Sequence, residues 1–137
     1  MIELVRTDLF VLEKYPGRSV LKFTRSSVPI TDAVQLDRAF SQLQSALDGA
    51  GRARHAFVLD LREGPLRTDP EFDKLFAAHR KRMLLGFARV ALVLRTAVGK
   101  LQVQRLAAAD GTPLTVFDSE EAALAHATVT KPATSER

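Results

Sequence analysis

A chain of 137 residues with 46% hydrophobic residues holds one core and one domain. It has no cysteine, which excludes disulfide frameworks, thiolate zinc sites and thiol nucleophiles, and makes a reducing cytoplasm the natural compartment. The formal net charge of +4, from 20 basic and 16 acidic residues, suits an anionic partner without requiring one. Glu3 and Asp8 interrupt the N-terminal stretch where a secretory signal needs an apolar core. No apolar run approaches the ~20 residues of a membrane helix, so a soluble protein without membrane insertion is expected.

The runs LFVLEKY and SVLKF flank Pro16-Gly17, a pair suited to a tight turn, and predict a β-hairpin. Leu36, Phe40, Leu43 and Leu47 recur at helical spacing, with Thr31 or Asp32 to cap the start and Gly49 or Gly51 the end. Phe57–Leu61 reads as a buried strand. After a polar loop, Phe72, Leu75, Phe76, His79 and Met83 form a second helical stripe that Gly86 stops. Ala88–Leu94 is apolar on nearly every position after Arg89, the pattern of a parallel strand covered on both faces. Thr96 can cap a third helix running to about Ala109. Leu114–Phe117 is a fifth strand, and Asp118 with Glu121 has capping-box spacing for a last short helix. The order ββαβαβαβα predicts an α/β domain over 1–127 with a mixed, mostly parallel sheet of about five strands, the first hairpin supplying an antiparallel edge. Residues 128–137, TVTKPATSER, lack periodicity and read as a disordered tail.

The turn after Phe57–Leu61 concentrates the candidate residues. Asp60 ends a parallel strand, near the edge where α/β domains gather ligands, and its carboxylate can also receive backbone or arginine hydrogen bonds that close the loop. Thr68 with Glu71 has capping-box spacing, and Pro70 suits a first helical turn. A phosphate on Thr68 would find free amides, the helix dipole, and Arg62 and Arg67 as counter-charges. The stretch LRTAVGKLQ resembles a phosphate loop only at Gly99-Lys100, because Leu94 and Leu101 stand where glycine and a metal-binding hydroxyl belong. Arg95, Thr96 and Lys100 remain as an anion-binding possibility at that helix start. His55, His79 and His126 fall in no metal-ligand pattern, so no metal or cofactor is expected, and His79 reads as a packing residue. Arg80-Lys81-Arg82 forms a basic run on the second helix, either a solvated face or a docking patch for an acidic partner. Without interleaved aromatic residues or a recognised motif, the chain is not read as a nucleic-acid binder.

The hairpin, the strand FVLDL with its following helix start, the strand RVALVL and the late LTVFDSEEAALAHA together resemble the STAS-like family, the sulfate-transporter and anti-sigma-factor-antagonist domains, over Leu9–Ala127. The resemblance implies a bacterial regulatory domain. In that family a serine at the helix start after the VLDL-like strand is phosphorylated by a partner kinase that also serves as the anti-sigma factor. Here that run is Arg67-Thr68-Asp69-Pro70-Glu71, which has neither serine nor glycine. STAS-like sequences also resemble the lipid-binding CRAL-TRIO group.

No catalytic constellation stands out, and the leading expectation is a non-enzymatic regulatory or scaffolding module. It would bind a protein partner, acidic in character, through Asp60, Arg62, Arg67, Thr68, Asp69, Arg80 and Arg82, and a homodimer is compatible with it. The alternative is a binding domain for a lipid or anionic metabolite held between sheet and helices. An enzyme would require Asp60, Arg62, Arg95 and Asp118 to converge at one sheet edge.

Overall fold

The computed structural model describes residues 1–65, 70–110 and 114–128, the side chains of residues 72, 73, 97, 98, 102, 106 and 110 apart. Its described strands are β1 Ile2–Arg6, β2 Phe10–Lys14, β3 Val20–Arg25, β4 Ala56–Asp60, β5 Arg89–Val93 and β6 Thr115–Phe117. They form one sheet in sequence order, antiparallel from β1 to β3 and parallel from β3 to β6. The described helices are α1 Ala33–Ala50, α2 Pro70–Leu84, α3 Ala97–Asp110 and α4 Glu120–Thr128.

The class and the order from the hairpin onward agree with the sequence pattern, but the sheet has six strands instead of about five. The added strand is β1, and it, not the hairpin, forms the antiparallel edge. Its pattern is irregular because the register shifts between Glu3 and Val5, so the alternation of sides is broken. Ile2 and Leu4 are 53% and 39% exposed while Val5 faces the core, which leaves no period-2 signal to read. In the β2–β3 turn the Arg18 amide reaches the Tyr15 carbonyl at 3.4 Å, with Pro16 and Gly17 at the centre. Gly17 has φ +69°, which makes this the Pro-Gly turn that only a residue lacking Cβ enters without strain.

Strands β4 and β5 send alternate residues to opposite faces. Phe57, Leu59, Val90 and Leu92 join a large core with Phe10, Phe23 and the α1 stripe Leu36, Phe40, Leu43 and Leu47. Ala56, Val58, Ala91 and Val93 join a smaller core with Val20 and with Ala123 and Ala127 of α4. We call these the front and back faces. Helix α1 begins at the Asp32 cap, whose carboxylate accepts from the Gln35 amide at 2.7 Å, and ends at Gly51. Helix α2 meets α1 through Phe76 and His79, whose rings lie 5.1 and 5.6 Å from that of Phe40. His79 also reaches Asp37 at 2.7 Å.

Three local expectations need correction. Leu75 is 44% exposed, because α2 turns Phe76, Met83 and Leu84 toward the core and leaves Leu75 off that stripe. The side chain of Phe72 lies outside the described set. Helix α4 is capped by Ser119, not Asp118: the Ser119 hydroxyl accepts from the Ala122 amide at 3.1 Å, with the helix starting one residue later than the capping-box spacing implied. Arg80 is half-buried, so only Lys81 and Arg82 of the basic run are fully outward.

A residue that spacing gave no reason to notice ties α1 to α2. Arg52 follows the end of α1 and donates to the carbonyls of Arg82, Met83 and Leu85, to the Gln44 side chain and to Asp48. It thereby satisfies carbonyls that the end of α2 leaves without intrahelical partners.

Candidate functional site

The carboxyl ends of the parallel strands carry two arginine–carboxylate pairs. Asp60, the last residue of β4, is 6% exposed. It accepts from the Arg62 backbone amide at 3.2 Å and, through both oxygens, from Arg62 Nε and Nη2 at 3.0 and 2.8 Å. This is the fork-on-fork geometry that makes arginine–carboxylate pairs strong. Burial alone would raise the Asp60 carboxyl, but the Arg62 hydrogen bonds outweigh it and hold the group below the usual carboxylate range. Asp60 therefore closes its own loop, as its place in the sequence suggested. In the same loop Glu63 pairs with Arg95 from the loop after β5, bridging the two connections with side chains that are both 62% exposed.

Asp60 lies on the back face, in alternation with Ala56 and Val58, and so meets the start of α4. Arg62 Nη2 lies 3.8 Å from Glu120 Oε1, which also receives Lys22 Nζ at 2.8 Å. Tyr15 donates its hydroxyl to Glu120 Oε2 at 2.5 Å. Burial by itself would raise the Glu120 carboxyl too, and the hydrogen bonds from Lys22 and Tyr15 reverse the direction. The Tyr15 phenol is pushed well above its ordinary value by burial, then by its bond to Glu120 and that group's charge. Two cations and two carboxylates, Lys22, Arg62, Asp60 and Glu120, thus compensate one another across β3, β4 and α4.

Sequence reasoning found Asp60 and Arg62 and missed Tyr15, Lys22, Glu63 and Glu120. Lys22 alone left a trace, since its place between Leu21 and Phe23 turns it to the other face. Its partner Glu120 lies nearly a hundred residues on, which no local spacing can join to it. The Thr96 hydroxyl accepts from the Gly99 amide at 3.0 Å and caps α3, while Arg95 is engaged with Glu63. Thr96 thus serves as a helix cap, and Arg95 is one half of an exposed ion pair. Lys100 is half-buried in the first turn of α3, and Asp118 is exposed. Arg67, Thr68 and Asp69 lie outside the described residues, as does the Thr68 cap. Arg82 is not part of this edge: it lies in the last turn of α2, where its carbonyl accepts from Arg52, which precedes the other end of β4. Among the described residues no three His, Asp or Glu side chains group as metal ligands, and no helix is long and apolar enough to cross a membrane.

No protein-family model matches the chain, and no curated protein does. A solved structure does: an uncharacterized protein of the DUF3478 family from Shewanella loihica PV-4, with a SpoIIAA-like fold. It is 18% identical, covers 90% of this chain and 98% of its own, and superposes with a TM-score of 0.58. The chain therefore has the SpoIIAA-like, that is STAS-like, α/β fold that its strand and helix order implied.

Proposed function

We propose that the protein is a non-enzymatic recognition module that docks a protein partner on the loops at the carboxyl ends of the parallel strands. The observation that carries this reading is the pair of arginine–carboxylate contacts there. Asp60–Arg62 stiffens the first loop from within, and Glu63–Arg95 presents an exposed, charge-patterned bridge between two loops. Preorganised loops lose less freedom when a partner orders them, which favours binding. Chemistry is less well supported, because the buried carboxylate is fully occupied by Arg62 and held in its weakly basic form.

The test uses a charge swap, Glu63→Arg with Arg95→Glu, which keeps the mutual attraction and inverts the pattern shown to a partner. Affinity capture from lysate of the source cells, read by mass spectrometry, should recover a protein with the wild type and with Arg82→Glu and lose it with the swap. Capture that the swap leaves unchanged, or no specific capture by the wild type, removes the reading.

A further inference from the structure

At the opposite end of the same strands lies a groove of about 390 Å³. Its charged lining comes from the starts of three neighbouring parallel strands: Arg18 before β3, Arg54 before β4, and Arg89 opening β5, with His55 and Ser19 between them and Thr128 of α4 at one wall. Among the described residues no carboxylate lines it. Three guanidinium groups around one concavity repel one another unless something anionic stands among them.

Two of the groove's side chains are held in place from within. Arg54 lies against Gly51, where a Cβ would stand 2.4 Å from Arg54 Nη2, and it donates to the Ala50 carbonyl at 3.2 Å. His55 is nearly fully buried, and its Nδ1 donates to the Gly51 carbonyl at 2.7 Å, because a carbonyl can only accept. That bond fixes the ring and leaves Nε2 as its second polar position. Arg18 and Arg89 make no side-chain hydrogen bond or ion pair among the described residues. Arg52, in the same neighbourhood, is fully engaged with the carbonyls ending α2 and with Gln44 and Asp48, so tying α1 to α2 accounts for it but not for Arg18 and Arg89.

We propose that this groove binds a small phosphate-bearing molecule, with Arg18 and Arg89 as forked donors to its oxyanion and Arg54 and His55 as the fixed wall. Arginine suits this role because its planar donors match phosphate oxygens in pairs. The volume admits a phosphate together with a modest organic group. The site lies at the other strand ends from the docking loops, so the two proposals stand or fall separately.

The test is a titration of the isotope-labelled protein with inorganic phosphate and then phenyl phosphate, at constant ionic strength, followed by amide chemical shifts. Saturable shifts confined to Ser19, Arg54, His55 and Arg89 and their neighbours are expected, tighter for phenyl phosphate. Arg18→Gln with Arg89→Gln should weaken binding by about tenfold or more, whereas Arg6→Gln with Arg38→Gln, which removes equal charge elsewhere, should leave it unchanged. Shifts spread over all basic surfaces, no saturation, or equal loss in both double variants would overturn the site.

Discussion

The two faces of the sheet are built to different scales. On the front, Phe10, Phe23, Phe40 and Phe57 interlock with rings 5.0 to 6.5 Å apart under α1 and α2. On the back, the same β4 and β5 strands offer valine and alanine to the alanines of one nine-residue helix. Small residues let α4 lie close to the sheet, but a short helix covers only part of it. Glu13 and Lys22 face each other across β2 and β3 on the remaining strip, and polar groups collect there for the same reason. The front face thus supplies most of the buried apolar area, and the back face holds the charge network that meets the candidate site.

That contrast predicts opposite sensitivities to side-chain size. Phe40→Ala removes a ring that touches four aromatic neighbours and should lower unfolding free energy by about 3–5 kcal/mol in a denaturant titration. Ala123→Leu at a fully buried position of α4 should destabilise by about 1–3 kcal/mol through overpacking, with Ala123→Gly cheaper than Phe40→Ala. If the alanine position accepted leucine without loss, α4 would not be closely seated, and the contrast between the faces would fail.

How much of this was legible in the sequence follows the same division. The front face wrote itself into spacing: Leu36, Phe40, Leu43 and Leu47 repeat at the helical period, and each is fully buried. The back face left a weaker trace: the apolar run of β5 reads as covered on both faces, but alanine and valine satisfy either a strand or a helix, and α4 has too few turns to show a stripe. At the site, an arginine or backbone bond to Asp60 was readable, since Arg62 stands only two positions further along the chain. The contacts of Glu120 with Lys22 and Tyr15 were not, because only the finished chain path brings β2, β3 and α4 together. β1 escaped for a third reason, its bulge at the edge having erased the alternation.

The helix caps offer a finer comparison. Asp32→Ala on α1 and Ser119→Ala on α4 each remove one acceptor for a helix-start amide and should each lower stability by about 1 kcal/mol. Their local consequences differ. Helix α1 has 18 residues and a full buried stripe, so its interior amides should keep their protection from hydrogen exchange. The nine-residue α4 should lose protection along its whole length, because its nucleus is a large share of the helix. Equal, local fraying in both variants would show α4 to be as firmly held as α1.

The smallest effect concerns the charge network, and one residue reports it. Asp60 and Glu120 titrate below their ordinary values in the folded protein, so on acidification the unfolded chain takes up their protons first. Their contribution is present above the ordinary carboxylate range and is lost as pH falls through it toward the folded values. At the alkaline end the sign reverses for Tyr15: its raised value means the folded state holds the phenol proton, so its contribution is intact below the ordinary tyrosine range and fades as pH climbs above it. Tyr15 is the sole tyrosine of the chain, and tyrosinate absorbance therefore reads this site alone. Glu120→Gln removes the negative charge while leaving an oxygen to accept the phenol, so ionisation should begin at lower pH, though burial keeps it above the value of free tyrosine. An ionisation curve that Glu120→Gln leaves in place would mean that burial alone sets Tyr15, and that α4 is held at its start by Lys22 and Ser119 without help from the phenol.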